Sequence, residues 1–167
     1  MICVAGKNSI AVNIASYIMP SCVVLNKDDA GVDTWQPSLG KWAKNSDTKI
    51  TSIDSLYDDT HLIFISAEYD ALINPELFKP TAKLFNIHFS DLPKYRGAHT
   101  SIHPILNGEM FGGVTIHYID NGIDTGPIIA QKTFVIDIND TARDLYFKYP
   151  YGELFSRFCY CLLHLYL

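Results

Sequence analysis

An asparagine and a histidine lie two residues apart at the end of a short apolar segment. Residues 83–88 follow Pro80 and have the length and composition of a β-strand. Alternate side chains of a strand share a face, so we expect Asn86 and His88 to point one way and Ile87 the other. The histidine can accept or relay a proton near neutral pH, and the asparagine amide can donate a hydrogen bond to oxygen charge that develops during acyl transfer. The pair predicts a reaction site at this strand end.

A loop rich in glycine and aspartate lies between two further predicted strands. Residues 113–119 alternate in polarity and predict one strand, and residues 128–136 predict another. Residues 120–126 contain two glycines and two aspartates, which is typical of a tight loop. Such a loop can place Asp124 beside a histidine on a neighbouring strand, where the carboxylate would orient the imidazole and stabilise its cationic form.

Taken alone, each of these residues also has a structural explanation. A strand-end histidine is often a hydrogen-bonded structural residue, an aspartate in a glycine-rich loop often belongs to the turn, and Asn86 could cap backbone groups. The chain also carries, in order and at close spacing, five short motifs: Asn86-Ile-His88, Leu92-Pro-Lys-Tyr-Arg-Gly97, Leu106-Asn-Gly-Glu109, Gly113-Val-Thr-Ile-His117 and Gly122-Ile-Asp-Thr-Gly126. This ordered set favours catalysis.

The ordered motifs resemble the folate-dependent formyltransferase family, which includes methionyl-tRNA formyltransferase, glycinamide ribonucleotide transformylase and the sugar N-formyltransferases. The resemblance covers residues 84–148 well and residues 1–83 more loosely. It implies that Asn86, His88 and Asp124 are the catalytic residues. Two positions depart from the family pattern, because Phe89 stands where a proline is usual and Asp91 where an apolar residue is usual.

The resemblance also implies a fold, a reaction and a donor site. The fold would be α/β and Rossmann-like, with a mostly parallel sheet and an antiparallel strand pair near residues 113–136. The reaction would transfer a formyl group from 10-formyltetrahydrofolate to the primary amine of a nucleotide-linked amino sugar, with a dTDP-sugar favoured, for surface-glycan synthesis such as lipopolysaccharide O-antigen. The residues expected to bind the folate are Ser66, Glu68, Tyr69, Ile87 and Asp120.

The acceptor would meet residues near the chain start and after the catalytic strand. Lys7 lies beside the exposed amides of a predicted helix start, where a phosphate can bind, although a plain turn with a solvated lysine is an equal alternative. Trp35 could stack on a base or sugar, or cover the edge of the core. The expected substrate-binding residues are Lys7, Asn8, Trp35, Lys94, Tyr95 and Arg96.

Composition limits the partners and the compartment. The 167 residues carry a net charge of −5, which argues against nucleic acid, including a tRNA, although Lys94 and Arg96 could form a local basic patch. No secretory signal is visible, and no apolar run reaches the length of a membrane span. The four cysteines show no zinc spacing, and Cys3 and Cys22 lie in predicted strands, so these two are expected to be buried reduced thiols. We expect a cytoplasmic protein without a metal.

The apolar pattern divides the chain into a catalytic domain, residues 1–150, and an apolar helical tail, residues 151–167. Strands are predicted at 2–5, 21–25, 49–52 and 62–66, and helices at 9–18, 39–45 and 99–107 and from 142 onward. The strand–turn–helix start lacks GxGxxG, so a dinucleotide cofactor is not expected. Within the helix predicted at 99–107, His99 and His103 would share a face.

The tail leaves several alternatives open, because family members usually continue beyond this point. The tail could be a truncated end or an apolar helix that forms a homodimer. A protein of this length could therefore be an active sugar formyltransferase, or a weakly active or inactive protein that binds folate or nucleotide sugar. It could also formylate another amine, on a ribonucleotide or an aminoacyl-tRNA, or hydrolyse formyl-folate.

Overall fold

The computed structural model describes residues 1–148 and divides the chain into two compact units, Met1–Asn86 and a second unit that begins at Ile87. The predicted tail, 151–167, and Cys159 and Cys161 lie outside the described residues. The division into a domain of residues 1–150 and a tail stays a prediction.

The first unit is a parallel sheet with helices, in the strand order β3-β2-β1-β4-β5. The pairs β1–β2, β1–β4 and β2–β3 are parallel. Its strands and helices are β1 Ile2–Gly6, α1 Asn8–Ile18, β2 Cys22–Leu25, α2 Leu39–Asn45, β3 Lys49–Thr51, β4 Ile63–Ala67 and β5 Lys83–His88, whose last two residues belong to the second unit. The Rossmann-like prediction is confirmed, and the strand bounds agree with the sequence to within one residue.

The core of this unit explains why its strands could be predicted from the sequence. Every residue of β4 is buried and all but Ser66 are apolar, as expected for a strand covered on both faces. Helix α1 buries a single face, which consists of Ile10, Ala11, Ile14 and Ala15. Cys3 and Cys22 are buried free thiols, as predicted.

Among the described residues, the second unit contains the last two residues of β5, the strands β6 and β7, and two short helices. Strand β6, Phe111–Tyr118, pairs antiparallel with β7, Ile128–Val135, and the register shifts between Ile116 and His117. The helices are α3, His103–Leu106, and α4, Ala142–Lys148. At the start of α4 the Asp144 amide donates to the Thr141 hydroxyl, and the Thr141 amide donates to the Asp144 carboxylate. This reciprocal pair is a capping box.

The helix predicted at residues 99–107 is wrong in length. Only the four residues of α3 are helical, and His99 lies before them with a φ of +61°, which is incompatible with a right-handed helix. Pro104 lies in the first turn of α3, a position that proline favours at a helix start. His99 and His103 therefore share no helix face. A separate 3₁₀ turn lies at Pro75–Leu77, in the first unit.

Gly6 ends β1 where the backbone of a neighbouring strand leaves no room for a side chain. Its φ is +145°, and a Cβ added there would lie 1.7 Å from the Ala67 carbonyl oxygen. Gly6→Ala is therefore expected to lower the free energy of unfolding by about 3 kcal/mol, as measured by chemical denaturation. Gly108→Ala is the matched control, because Gly108 has a φ of +62° but no atom within 4 Å of an added Cβ. Equal losses in the two variants would show that the Ala67 contact is unimportant.

Among residues 1–148, none of the helices combines the length and the apolar character that crossing a membrane requires.

Candidate active site

His88 lies at the end of β5 and is 6% exposed. Its Nε2 donates to the Tyr95 carbonyl oxygen at 2.8 Å, and its Nδ1 lies 3.4 Å from Asp124 Oδ2. The Tyr95 carbonyl can only accept a hydrogen bond, so Nε2 carries the proton of the neutral ring. Nδ1 is then the ring atom that can accept a proton, and it faces the carboxylate that would stabilise the resulting cation.

Asp124 lies in the loop between β6 and β7, with a φ of +52°. Its Oδ2 accepts a hydrogen bond from the Gly97 amide at 2.8 Å, and its Oδ1 lies 3.5 Å from His117 Nε2. The carboxylate therefore lies between two imidazoles, because His88 faces Oδ2 and His117 faces Oδ1. The backbone contact with Gly97 holds the carboxylate in this position.

His117 is the site residue that sequence reasoning did not select. It lies on β6, it is 2% exposed, and its Nδ1 donates to the Tyr118 carbonyl oxygen at 2.8 Å. The ring centroids of His88 and His117 are 6.3 Å apart. The only available signal was its place in the Gly-Val-Thr-Ile-His motif, because the contact with Asp124 depends on how the following loop folds back.

Burial and charge set the protonation of the site. Burial lowers the pKa of His88 and the charge of His117 acts in the same direction, while Asp124 and the Tyr95 carbonyl oppose them. Burial acts to raise the pKa of Asp124, but the hydrogen bond from His117, the charge of His88 and the Gly97 amide outweigh it, so this pKa is lowered. The site therefore holds a neutral imidazole beside an ionised carboxylate at neutral pH.

We expect the His88 imidazole to titrate below its ordinary pKa of 6.5. Because the folded pKa is the lower one, the unfolded chain binds more protons in the interval between them, and the free energy of unfolding decreases as the pH falls through that interval. An NMR titration of the imidazole signals measures this midpoint, with His88→Gln to assign the resonance. A midpoint above 6.5 would contradict the prediction.

The predicted catalytic asparagine precedes His88 by two residues. Asn86 is half-buried on β5, and its spacing places its side chain on the same face of the strand as that of His88. Ile87, between them, is buried.

The other residues predicted to bind folate have different environments. Ser66 is buried at the end of β4, and Glu68 and Tyr69 follow it, half-buried. Burial raises the pKa of Tyr69. Asp120 Oδ1 accepts hydrogen bonds from the Gly122 amide and the Thr125 hydroxyl, so it stabilises the loop that contains Asp124.

The residues predicted to bind substrate near the chain start lie where β1 ends. Lys7 forms an ion pair of 2.9 Å with Asp28, and Asn8 donates to the Glu68 carboxylate at 2.8 Å. Trp35 is 68% exposed, which leaves its indole accessible to a ligand. The next residue, Gln36, is buried and accepts a hydrogen bond from the Ser9 amide in the first turn of α1.

Of the second predicted group of substrate-binding residues, 94–96, Lys94 and Tyr95 line a cavity of about 350 Å³ in the second unit. Lys94 lies 3.2 Å from Glu109, and the Tyr95 hydroxyl donates to the same carboxylate at 2.8 Å. The Tyr95 ring stacks on His103, with centroids 5.8 Å apart. Arg96 is exposed. Glu109 therefore holds two of the three predicted residues in a local network.

Comparisons with known proteins bear on the family and the fold of the chain. The family described as formyl transferase matches residues 18–153. A solved structure of WlaRD, a sugar 3N-formyl transferase in the presence of dTDP and 5-N-formyl-THF, is 50% identical, with a TM-score of 0.93 over 98% of this chain. The N-formyltransferase from Helicobacter canadensis, in complex with folinic acid and dTDP-3-aminofucose, is 49% identical, with a TM-score of 0.92 over 98% of this chain.

The chain is shorter than these relatives. It spans 62% of the WlaRD chain and 64% of the Helicobacter canadensis chain. A methionyl-tRNA formyltransferase from Synechocystis is 34% identical over 75% of this chain, which covers 36% of that protein. The match to residues 18–153 nevertheless includes most of the present chain.

Proposed function

The chain belongs to the formyl transferase family, and we propose that it transfers a formyl group from 10-formyltetrahydrofolate to the primary amine of a dTDP-linked amino sugar. The pairing of His88 Nδ1 with Asp124 is the observation that carries the proposal, because it supplies a neutral base beside a carboxylate. Likeness to two sugar N-formyltransferases supports an amino sugar as the acceptor.

The proposed reaction is an acyl transfer between two amines. The neutral amine of the sugar attacks the formyl carbon, and Asn86 donates a hydrogen bond to the oxyanion of the tetrahedral intermediate. His88 accepts the proton that the attacking nitrogen loses, and Asp124 stabilises the imidazolium. Collapse of the intermediate breaks the bond to N10 of the folate, which receives a proton from His88. No proton is gained or lost overall.

The folate donor and the nucleotide-linked sugar are proposed to bind the residues predicted from the sequence. The donor is proposed to contact the segment that contains Ser66, Glu68 and Tyr69, together with Ile87 and Asp120. Because Ser66 and Ile87 are buried, their contribution would come from the backbone. The residues proposed to bind the nucleotide and sugar are Lys7, Asn8, Trp35, Lys94, Tyr95 and Arg96.

The wider setting is also part of the proposal. The formylated sugar would enter surface-glycan synthesis, such as that of lipopolysaccharide O-antigen, and the reaction would take place in the cytoplasm. A homodimer formed through residues 151–167 stays a prediction.

A turnover assay tests the function. The purified chain is incubated with 10-formyltetrahydrofolate and a dTDP-linked 3-amino sugar, and mass spectrometry follows the sugar nucleotide. We expect product heavier by one formyl group in place of one hydrogen, and no formylation of methionyl-tRNA in parallel. Calorimetric binding without product would indicate a binding protein, and loss of donor without formylated sugar would indicate hydrolysis. Either result would contradict the proposed transfer.

A further inference from the structure

Glu68 joins three chain segments that follow the parallel strands of the first unit. Its carboxylate accepts a hydrogen bond from the Asn8 side chain after β1, at 2.8 Å. Its backbone carbonyl accepts another from the Asn26 side chain after β2, also at 2.8 Å. Nearby, the Lys27 amide donates to Asp70 at 3.0 Å. The segments after β1, β2 and β4 are therefore linked by side chains, and Glu68 makes two of the links.

The geometry of this junction is unusual for residues other than glycine. Asn8 has a φ of +63° and Glu68 a φ of +57°, so both backbones are left-handed. Asn26 is 2% exposed, and its Oδ1 has no hydrogen-bond partner among the described residues. Left-handed backbones and unpaired buried oxygens are unfavourable, and they persist where the surrounding contacts hold them, often at functional sites.

We infer that Glu68 is a positioning residue that couples donor binding to nucleotide binding. This inference rests on the proposed function, in which the segment after β4 contacts the folate and Asn8 contacts the nucleotide. A ligand that orders one segment also orders Glu68, and through the bond to Asn8 it orders the other segment. The second ligand then binds a partly ordered site, which makes the coupling positive.

Calorimetry measures this coupling directly. The Kd of 5-formyltetrahydrofolate is determined for the chain alone and for the chain saturated with dTDP. We expect about tenfold tighter folate binding when dTDP is present, and thermodynamic linkage requires the same ratio in the reverse experiment. The readout is the ratio of the two Kd values. A substitution that weakens folate binding equally with and without dTDP leaves this ratio unchanged.

Two variants remove the hydrogen bond between Asn8 and Glu68, one by changing the acceptor and the other by changing the donor. Asn tolerates a left-handed backbone but is one carbon shorter than Glu, so Glu68→Asn should not reach Asn8. Asn8→Gly keeps the positive φ and removes the donor. In both variants we expect the ratio to fall to about one. Glu68→Gln retains an acceptor oxygen at the same reach, so it should keep most of the coupling.

Asp58→Asn is the matched control, because it also neutralises a carboxylate of the first unit. Asp58 precedes β4, whereas Glu68 follows it, and Asp58 pairs with Lys79 at the surface. This variant should keep the wild-type ratio. Independent binding of the two ligands to the wild-type chain, or an unchanged ratio in Glu68→Asn and Asn8→Gly, would overturn the coupling alone. Failure of both ligands to bind the wild-type chain would overturn the proposed function.

Discussion

His88→Gln is expected to lower kcat by about 10²- to 10⁴-fold, because it removes the base that accepts the amine proton. Glutamine retains a polar side chain of similar size but has no nitrogen that takes up a proton near neutral pH. The affinity for 5-formyltetrahydrofolate should change little. Steady-state kinetics with the dTDP-linked amino sugar measures the loss, and circular dichroism checks that the variant folds.

His103→Gln is the control for His88. His103 is exposed and lies in the same unit, but it stacks on Tyr95 and makes no described contact with Asp124. This variant should retain kcat within a few-fold of the wild-type value. If folded His88→Gln turned over at a comparable rate, His88 would have to be reassigned as a structural residue.

Asn86→Ala is expected to lower kcat by about 10²- to 10³-fold, which is the usual effect of losing one oxyanion donor. The hydrogen bond is strongest when charge develops on the formyl oxygen, so kcat should fall more than KM rises. The two kinetic constants, measured separately for donor and acceptor, distinguish this loss from weaker substrate binding.

Asn86→Asp tests the donor without changing the size of the side chain. A carboxylate accepts hydrogen bonds but donates none when ionised, so its kcat should be at least as low as that of Asn86→Ala. If Asn86→Asp were nearly as active as the wild type, shape rather than hydrogen-bond donation would explain the need for Asn86.

Most of the fold could be predicted because its signals are local. The buried strands are apolar runs, and the capping box of α4 lies within four residues of sequence. The prediction failed at residues 99–107, where apolar spacing suggested nine helical residues and only His103–Leu106 are helical. The left-handed backbone at His99 and the proline in the first turn of α3 outweigh the spacing there.

The site was predictable only in part. The motifs named His88 and Asp124, but they did not show which ring nitrogen faces the carboxylate or that His117 approaches it from the other side. The links from Glu68 to Asn8 and Asn26 join residues 60 and 42 positions apart, and no motif indicates them.

Residue types and local patterns are sufficient to predict most strands, the order of the motifs and the residues able to donate or accept a proton. These properties depend on residue type and on residues nearby in the sequence, so they can be predicted without the folded structure. The folded structure is needed to see that Nδ1, facing Asp124, is the unprotonated nitrogen of neutral His88 and that the pKa of His88 is lowered. Both follow from the Tyr95 carbonyl, the Asp124 carboxylate and burial, which surround the ring only after the chain has folded.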